Sequence, residues 1–243
     1  MKLNKKFESV LFFADTHIPY HHRDYLEFLK LVKETYKPDL VIHGGDEVDN
    51  HAISFHDKDP NLQSPKDELV SSIKCLKKLY KVFPKLHLLR SNHGSLAERK
   101  LKFFGLPALY LRELGDVYGV PDWKWHNELI IKLSDNTSML LRHDLSRKTS
   151  LMVAYRNSCN VMGAHYHTKF SIEYAANHEK LYWAVSAPCL LDEKSLAMAY
   201  AKTNSGTAGL DKCLLGCVMV ISGHPILIPM ILNKRGRWIG ILR

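Results

Sequence analysis

The chain has 243 residues, with 34 Lys and Arg against 25 Asp and Glu, for a formal charge of +9. That length is near the upper end for one domain and buries a large core without disulfide staples, and no apolar run approaches a membrane span. The five cysteines are odd in number and lack metal-type C-x-x-C spacing, which speaks against a disulfide scaffold and predicts free thiols in a reducing cytoplasm.

Residues 1–6 are basic and precede the apolar run 10–14, an outline superficially like a signal peptide. The run is too short for one, leads straight into Asp15-Thr16-His17, and predicts a strand. Residues 24–36 set Tyr25, Phe28, Leu29 and Val32 at helical spacing, a stripe that should pack on a sheet. Residues 40–42 predict the next strand, ending on Gly44-Gly45-Asp46-Glu47-Val48-Asp49. Ser64-Pro65-Lys66-Asp67 is a helix start, with Pro at the first helical position and an acidic residue placed for capping. Leu69, Ile73, Leu76 and Tyr80 form its stripe. Residues 86–89 predict a strand ending on Ser91-Asn92-His93, followed by a cap-like insertion near 94–125 in which Phe103, Phe104 and Leu106 read as helix core. Residues 129–133, 139–141 and 160–162 predict strands, the last two leading into Arg142-His143 and Gly163-Ala164-His165-Tyr166-His167. Residues 216–221 and 226–232 flank Ser222-Gly223-His224-Pro225, a hairpin signal, and 238–242 predict a last strand. With no internal repeat or low-complexity tract, residues 1–243 read as one folding unit.

Five strand ends thus carry Asp, Asn or His. Singly, an Asp-x-His is common and Gly-Gly-Asp favours a turn for backbone reasons. Their ordered recurrence is what chance does not supply. Hydrolysing a phosphate ester at neutral pH requires a hydroxide and charge stabilisation on the phosphoryl oxygens, and two cations about 3.5–4 Å apart supply both. Asp46, on its tight Gly-Gly turn, is the natural bridge. Asp15, His17 and His167 would complete one metal, and Asn92, His143 and His165 the other; alternation along an extended segment puts His165 and His167 on one face. Oxygen and imidazole donors without thiolate suit Mn²⁺, Zn²⁺, Fe or Ni, and affinity order alone does not choose among them; two divalent ions are expected, Mn²⁺ before Zn²⁺, Fe, Ni or Co.

The series resembles the calcineurin-like metallophosphoesterase superfamily, whose pattern is D-x-H, then G-D-x-x-D or G-D-x-x-R, then G-N-H-[DE], a His, and G-H-x-H. The motifs run from Asp15 to His167, about two-thirds of the chain. The resemblance implies an α/β fold, a double β-sheet sandwich flanked by helices (α/β/β/α), with the metals at strand C-termini. It also implies that His93 is the general acid beside the ligand Asn92, and that Asp49 is the carboxylate orienting it. Ser91 stands for the usual Gly, Gly94 where an acidic residue is common, Asp144 where Gly follows the His, and Ala164 widens the last Gly-His by one residue. Asn50 occupies the position of the phosphate-binding Arg of the protein phosphatase branch, which argues against a protein phosphatase. The segment 39–60 resembles a group of phage-encoded members, for which the location would be a host cytoplasm.

A positive field concentrates anions, so nucleotides or nucleic acids are the expected phosphorylated partners, and no membrane. A 5′-nucleotidase or deoxynucleotidase would close on one base, whereas a DNA or RNA nuclease would bind in an open groove with strong salt dependence. Lys74, Lys77, Lys78 and Lys81 read equally as a solvated helix face. Residues 51–63, with Phe55, His56 and Lys58, and residues 95–125, where Arg99, Lys100 and Lys102 interleave with aromatics, are placed to set the substrate. Asn92, Arg99 and His21 are the expected phosphate contacts, although His21, His22 and Arg23 would serve equally to cap the following helix. Apolar patches would support a homo-oligomer. A catalytically inactive scaffold is the rival class, and retention of every ligand and of the acid argues against it.

Overall fold

The computed structural model describes residues 1–55, 60–145, 150–192, 194–195 and 212–242. Strands β1 (Lys2–Phe7), β2 (Ser9–Phe13), β3 (Leu40–His43), β4 (His87–Leu89) and β5 (Lys124–His126) come first, interleaved with helices α1 (Tyr25–Tyr36), α2 (Pro65–Val82), α3 (Leu96–Phe103) and α4 (Leu114–Tyr118). Strands then dominate: β6 (Leu129–Leu133), β7 (Ser138–Leu141), β8 (Asn160–Gly163), β9 (Ser171–Ala176), β10 (Leu181–Ser186), β11 (Gly216–Ile221) and β12 (His224–Pro229), with α5 (Ser150–Asn157) before β8. They form two six-stranded mixed sheets, ordered β12-β11-β2-β3-β4-β5 and β1-β6-β7-β8-β10-β9.

Side-chain alternation sorts the layers. Along β2, Leu11 and Phe13 join a cluster with Phe28, Leu29, Val32, Leu76 and Leu79 of α1 and α2, while Val10 and Phe12 face Leu129, Ile131, Met139 and Val185 of the second sheet. A third cluster packs Ala154 of α5 on Leu140, Val161 and Ala184. The order is helices, sheet, sheet, helix. Strands buried on both faces read as continuous apolar runs, which is why β2, β3 and β8 were visible in the sequence. Because β2, β3, β4 and β5 run parallel, as do β7, β8 and β10, their C-terminal ends gather at one edge, where open α/β sheets hold ligands.

Helix α1 buries Tyr25, Phe28, Leu29 and Val32 as its spacing predicts, and ends on Lys37 in the left-handed region before Pro38. Helix α2 begins as predicted, with the Ser64 hydroxyl accepting the Asp67 N–H at 3.2 Å. Its buried face is displaced, however, to Glu68, Ser72, Leu76 and Leu79, leaving Leu69 exposed. The cause is polar: Glu68 accepts the N–H groups of His51 and Ala52 at 2.8 and 2.7 Å, and the Ser72 hydroxyl donates to the Ile18 carbonyl. The helix is turned so that it braces the loops after β2 and β3. Its Lys74, Lys77, Lys78 and Lys81 are exposed.

Three expectations need correction. Phe103, Phe104 and Leu106 are exposed rather than core, because α3 is short and buries only Leu96. The hairpin forms with a two-residue turn, Ser222 and Gly223 both at positive φ, so β12 starts at His224 rather than 226. Residues 238–242 form no strand; Trp238 makes a single bridge to Leu232.

That last segment does something else. Arg237 donates through Nε and Nη2 to the Asp24 carboxylate at 2.6–3.1 Å, and the Trp238 N–H donates to Asp24 at 2.9 Å, tying the chain end to the start of α1. Arg237 beside it holds the Asp24 carboxyl down at about 2, below the ordinary value of about 3.9. A depressed carboxyl pKa contributes stability above the unfolded value and loses it as pH falls through the folded one. Arg237→Ala is therefore expected to melt at a lower temperature than the parent at pH 7, with the gap closing between about pH 4 and pH 2. A gap that stays constant down that acid limb would remove this pair from the account.

Candidate active site

The loops after β2 and β3 are stitched together by backbone. Asp15 N donates to Gly45 O at 3.0 Å, His17 N to Asp46 O at 2.9 Å, and Ile18 N to Glu47 O at 3.1 Å. Within them Asp15, His17, Asp46 and Asn50 have φ near +50°, and His165 after β8 has φ +76°. Each such residue costs about 1 kcal/mol or more, so their concentration at one edge marks a built site. Gly45, at φ +101°, could carry no side chain: a Cβ would lie 2.7 Å from Nδ1 of His143.

The side chains of these loops converge across the sandwich. Donor atoms of Asp15, His17, Asp46 and His167 lie within 4.8 Å of one another, as do those of Asp46, His143 and His165. One oxygen belongs to both groups: Asp46 Oδ2 is 3.6 Å from His17 Nε2 and 3.3 Å from His143 Nε2. Asn92 Oδ1 is 2.9 Å from His143 Nε2, which brings the predicted fourth residue to the second group. The first group takes Asp15, His17 and Asp46 from the ends of β2 and β3 of one sheet and His167 from beyond β8 of the other, and the second adds His143 and His165, which follow β7 and β8.

The ring tautomers suit ligation. His17 donates from Nδ1 to Asp49 Oδ1 at 2.6 Å, and His143 from Nδ1 to the Gly44 carbonyl at 2.8 Å, so each ring, once neutral, aims its Nε2 lone pair inward. Inside, potential ligand atoms crowd one another. Nε2 of His17 and of His167 are 3.2 Å apart, and buried Asp15 Oδ1 has no hydrogen-bond partner. Burial opposes a charge on His143, yet Asp46 and Asp15 beside it push its pKa up to about 10. The arrangement calls for positive charge, and its mixture of carboxylate, amide oxygen and imidazole fits divalent cations.

His93 is half-buried at the mouth. Its Nδ1 lies 2.6 Å from the main-chain carbonyl of Asp49, whereas the Asp49 carboxylate is 3.4 Å away and spends its shortest contact on His17. Asp49 therefore touches both rings, and the one it holds by its carboxylate is His17. The His93 N–H also donates to Asp46 Oδ1 at 3.1 Å. Arg99 donates to the Asn92 carbonyl at 3.2 Å. His21 stands apart from both groups: its ring packs edge-on against Tyr25, and burial pulls its pKa down to about 4. His22 contacts the Gly236 carbonyl and accepts the Asp24 N–H. His56 and Lys58 lie outside the described residues.

Two supports were not anticipated. The Ser91 hydroxyl, where Gly is usual, accepts the N–H of Asp46 at 2.8 Å and of Gly94 at 3.2 Å, so the added Cβ brings an anchor for the bridging loop. Buried His43, whose pKa burial lowers to about 3, accepts the Gly45 N–H at Nδ1 and meets Thr16 Oγ1 at 3.1 Å through Nε2. Its position directly after an apolar run was the available signal. Beside them the Glu47 carboxylate takes the Trp125 indole N–H at 3.0 Å, and a Cβ on Gly94 would sit 3.2 Å from both its oxygens.

The fold and this His, Asp and Asn constellation define a metal-dependent phosphoesterase. The family model described as calcineurin-like phosphoesterase matches residues 9–224, and the chain belongs to that family, whose members bind divalent metals. No curated protein matches it. Among solved structures, Vacuolar Protein Sorting 29 from Cryptosporidium parvum is 10% identical over 98% of this chain and 96% of its own, with a TM-score of 0.49. The phosphoesterase Yfce from E. coli is 10% identical over 95% and 96%, with a TM-score of 0.45. The Pseudomonas putida nuclease MPE is 11% identical over 90% and 86%, with a TM-score of 0.39. Among the described residues no helix is long and apolar enough to cross a membrane.

Proposed function

We propose that the chain is a two-metal phosphohydrolase acting on phosphate esters of nucleotides. The observation that carries the reading is the single oxygen, Asp46 Oδ2, set between His17 Nε2 and His143 Nε2 at 3.6 and 3.3 Å. Asp15, His17, Asp46 and His167 would hold one cation, and Asp46, Asn92, His143 and His165 the other. Divalent cations held there, Mn²⁺ foremost, would supply a low-pKa water and neutralise phosphoryl charge. The chain's own part is positional. Asp49 fixes the His17 tautomer with its carboxylate and aims His93 with its carbonyl; His93 gives its proton to the departing oxygen; Asn92 and Arg99 lie where phosphate oxygens approach. His21, neutral and turned onto Tyr25, is left with a packing role.

A cavity of about 490 Å³ borders the His93 loop, lined by Asn50, Ser91, Gly94, Tyr118 and Trp125 among others, and has the size of a small-ligand site. It supports a pocket for one nucleoside, as in a 5′-nucleotidase. A nuclease is the second reading, favoured by the exposed aromatics beyond α3. Mn²⁺-dependent turnover of deoxynucleoside 5′-monophosphates and of single-stranded DNA, run in parallel, separates them. Phosphate from the monophosphates alone supports the nucleotidase and shortened DNA the nuclease; silence on both, with no metal retained, would sink the hydrolase reading in favour of a scaffold.

A further inference from the structure

Beyond His93 the chain carries an apolar surface that its own fold does not cover. Phe103 is 72% exposed, Phe104 71%, Leu109 93% and Tyr110 74%. Four large side chains together in water mark an interaction surface rather than scatter. Cations flank them through Phe55. Lys100 Nζ lies 3.9 Å and Arg99 Cζ 5.2 Å from the centre of the Phe55 ring, and Phe55 meets Phe103 edge-on at 6.0 Å. The surface is joined to the site: Leu96 N donates to His93 O, Arg99 donates to Asn92 O, and Phe55 lies on the segment that leaves Asp49.

We propose that this ridge is a stacking platform for single-stranded nucleic acid, with the strand crossing α3 from the leaving-group side of the site. The inference rests on the nucleotide-ester reading and selects a strand over a free nucleotide. Flat rings offer faces to unpaired bases of any sequence, and interleaved Lys and Arg offer charge to the backbone. A second copy of the chain would bring a like-charged ridge, Arg99 and Lys100 against themselves, whereas a polyanion with apolar faces complements both features. Helix α3 runs about 12 Å, the span of three or four nucleotides stacked at about 3.4 Å, so a base on Phe103 keeps a phosphate within reach of His93. Duplex DNA, its base faces already stacked, lacks what the rings recognise.

The test is fluorescence anisotropy of a labelled twelve-nucleotide oligothymidylate with the full chain and Mn²⁺, using a methylphosphonate linkage at alternate positions to block cleavage while leaving phosphates for the backbone contacts. Phe104→Ala and Tyr110→Ala, both at exposed positions, should melt like the parent and each weaken binding by about tenfold. Lys100→Ala should flatten the salt dependence by about 0.7 in the log–log slope. A duplex of the same length should bind more weakly. Unchanged affinity in both aromatic variants, or equal binding of the duplex, would overturn the platform. So would variants that lose self-association in sedimentation while keeping oligothymidylate affinity, since the ridge would then belong to a second copy. Turnover of a chromogenic phosphodiester is scored separately: a chain that binds the strand but hydrolyses nothing defeats the hydrolase reading and leaves the platform standing.

Discussion

Asp46→Asn is expected to lower turnover by on the order of 10³-fold and to cost the purified protein at least one equivalent of divalent metal. The substitution keeps shape and removes charge, so the fold should survive. What it disturbs is local. Oδ2 of Asp46 lies within reach of both His17 and His143, while Oδ1 accepts the His93 main-chain N–H. An amide at that position either turns an N–H₂ group toward the two imidazole Nε2 atoms, where a ligand oxygen is needed, or turns it toward the His93 main-chain N–H. Neither orientation reproduces a bridging carboxylate. Metal analysis with turnover of a nucleotide ester checks the outcome, and full metal content with more than a tenth of parental turnover would remove Asp46 from the bridge.

His93→Ala should behave differently. It is expected to reduce turnover about 10²–10⁴-fold on substrates with a poor leaving group while leaving metal content at the parental level. The ring is no member of the two groups that share Asp46; it hangs at the mouth from the Asp49 carbonyl. Loss of a proton donor matters most where the departing oxygen is most basic. The variant should therefore recover much of its rate on a nitrophenyl ester, whose leaving group needs no proton. An equal deficit on both esters would argue for a role in binding, and an undiminished rate would take His93 out of the mechanism.

The layered fold was legible because strands buried on both faces are apolar throughout, and the helix stripe of α1 because nothing polar competes for its inner face. Where the sequence misled, polar chemistry or edge position intervened. The register of α2 follows Glu68 and Ser72, whose partners are N–H and carbonyl groups far along the chain and invisible to a hydropathy pattern. Strand β1, Lys2–Phe7, was missed because a sheet edge tolerates Lys where a central strand would not. Strands β5, β9 and β10 were also passed over. The site was legible as an ordered series of residue types at strand ends. Its internal wiring was not: no spacing rule foretells that Asp49 gives its carboxylate to His17 and its carbonyl to His93, or that a hydroxyl at Ser91 would anchor Asp46.

Both groups that share Asp46 also straddle the seam between the sheets, the first joining the ends of β2 and β3 to His167 beyond β8, the second joining Asp46 to His143 and His165 after β7 and β8. An ion held in common by Asp46 and His143, as proposed, would be a clasp on the sandwich as well as a reagent. Affinity for the ion and cohesion of the two halves become one free energy, and each tenfold excess of ion over its dissociation constant adds about 1.4 kcal/mol to the cohesion. Chelation should then loosen the seam itself, with amide exchange rising along the facing strands β2 and β7 before the outer helices α1 and α5 respond.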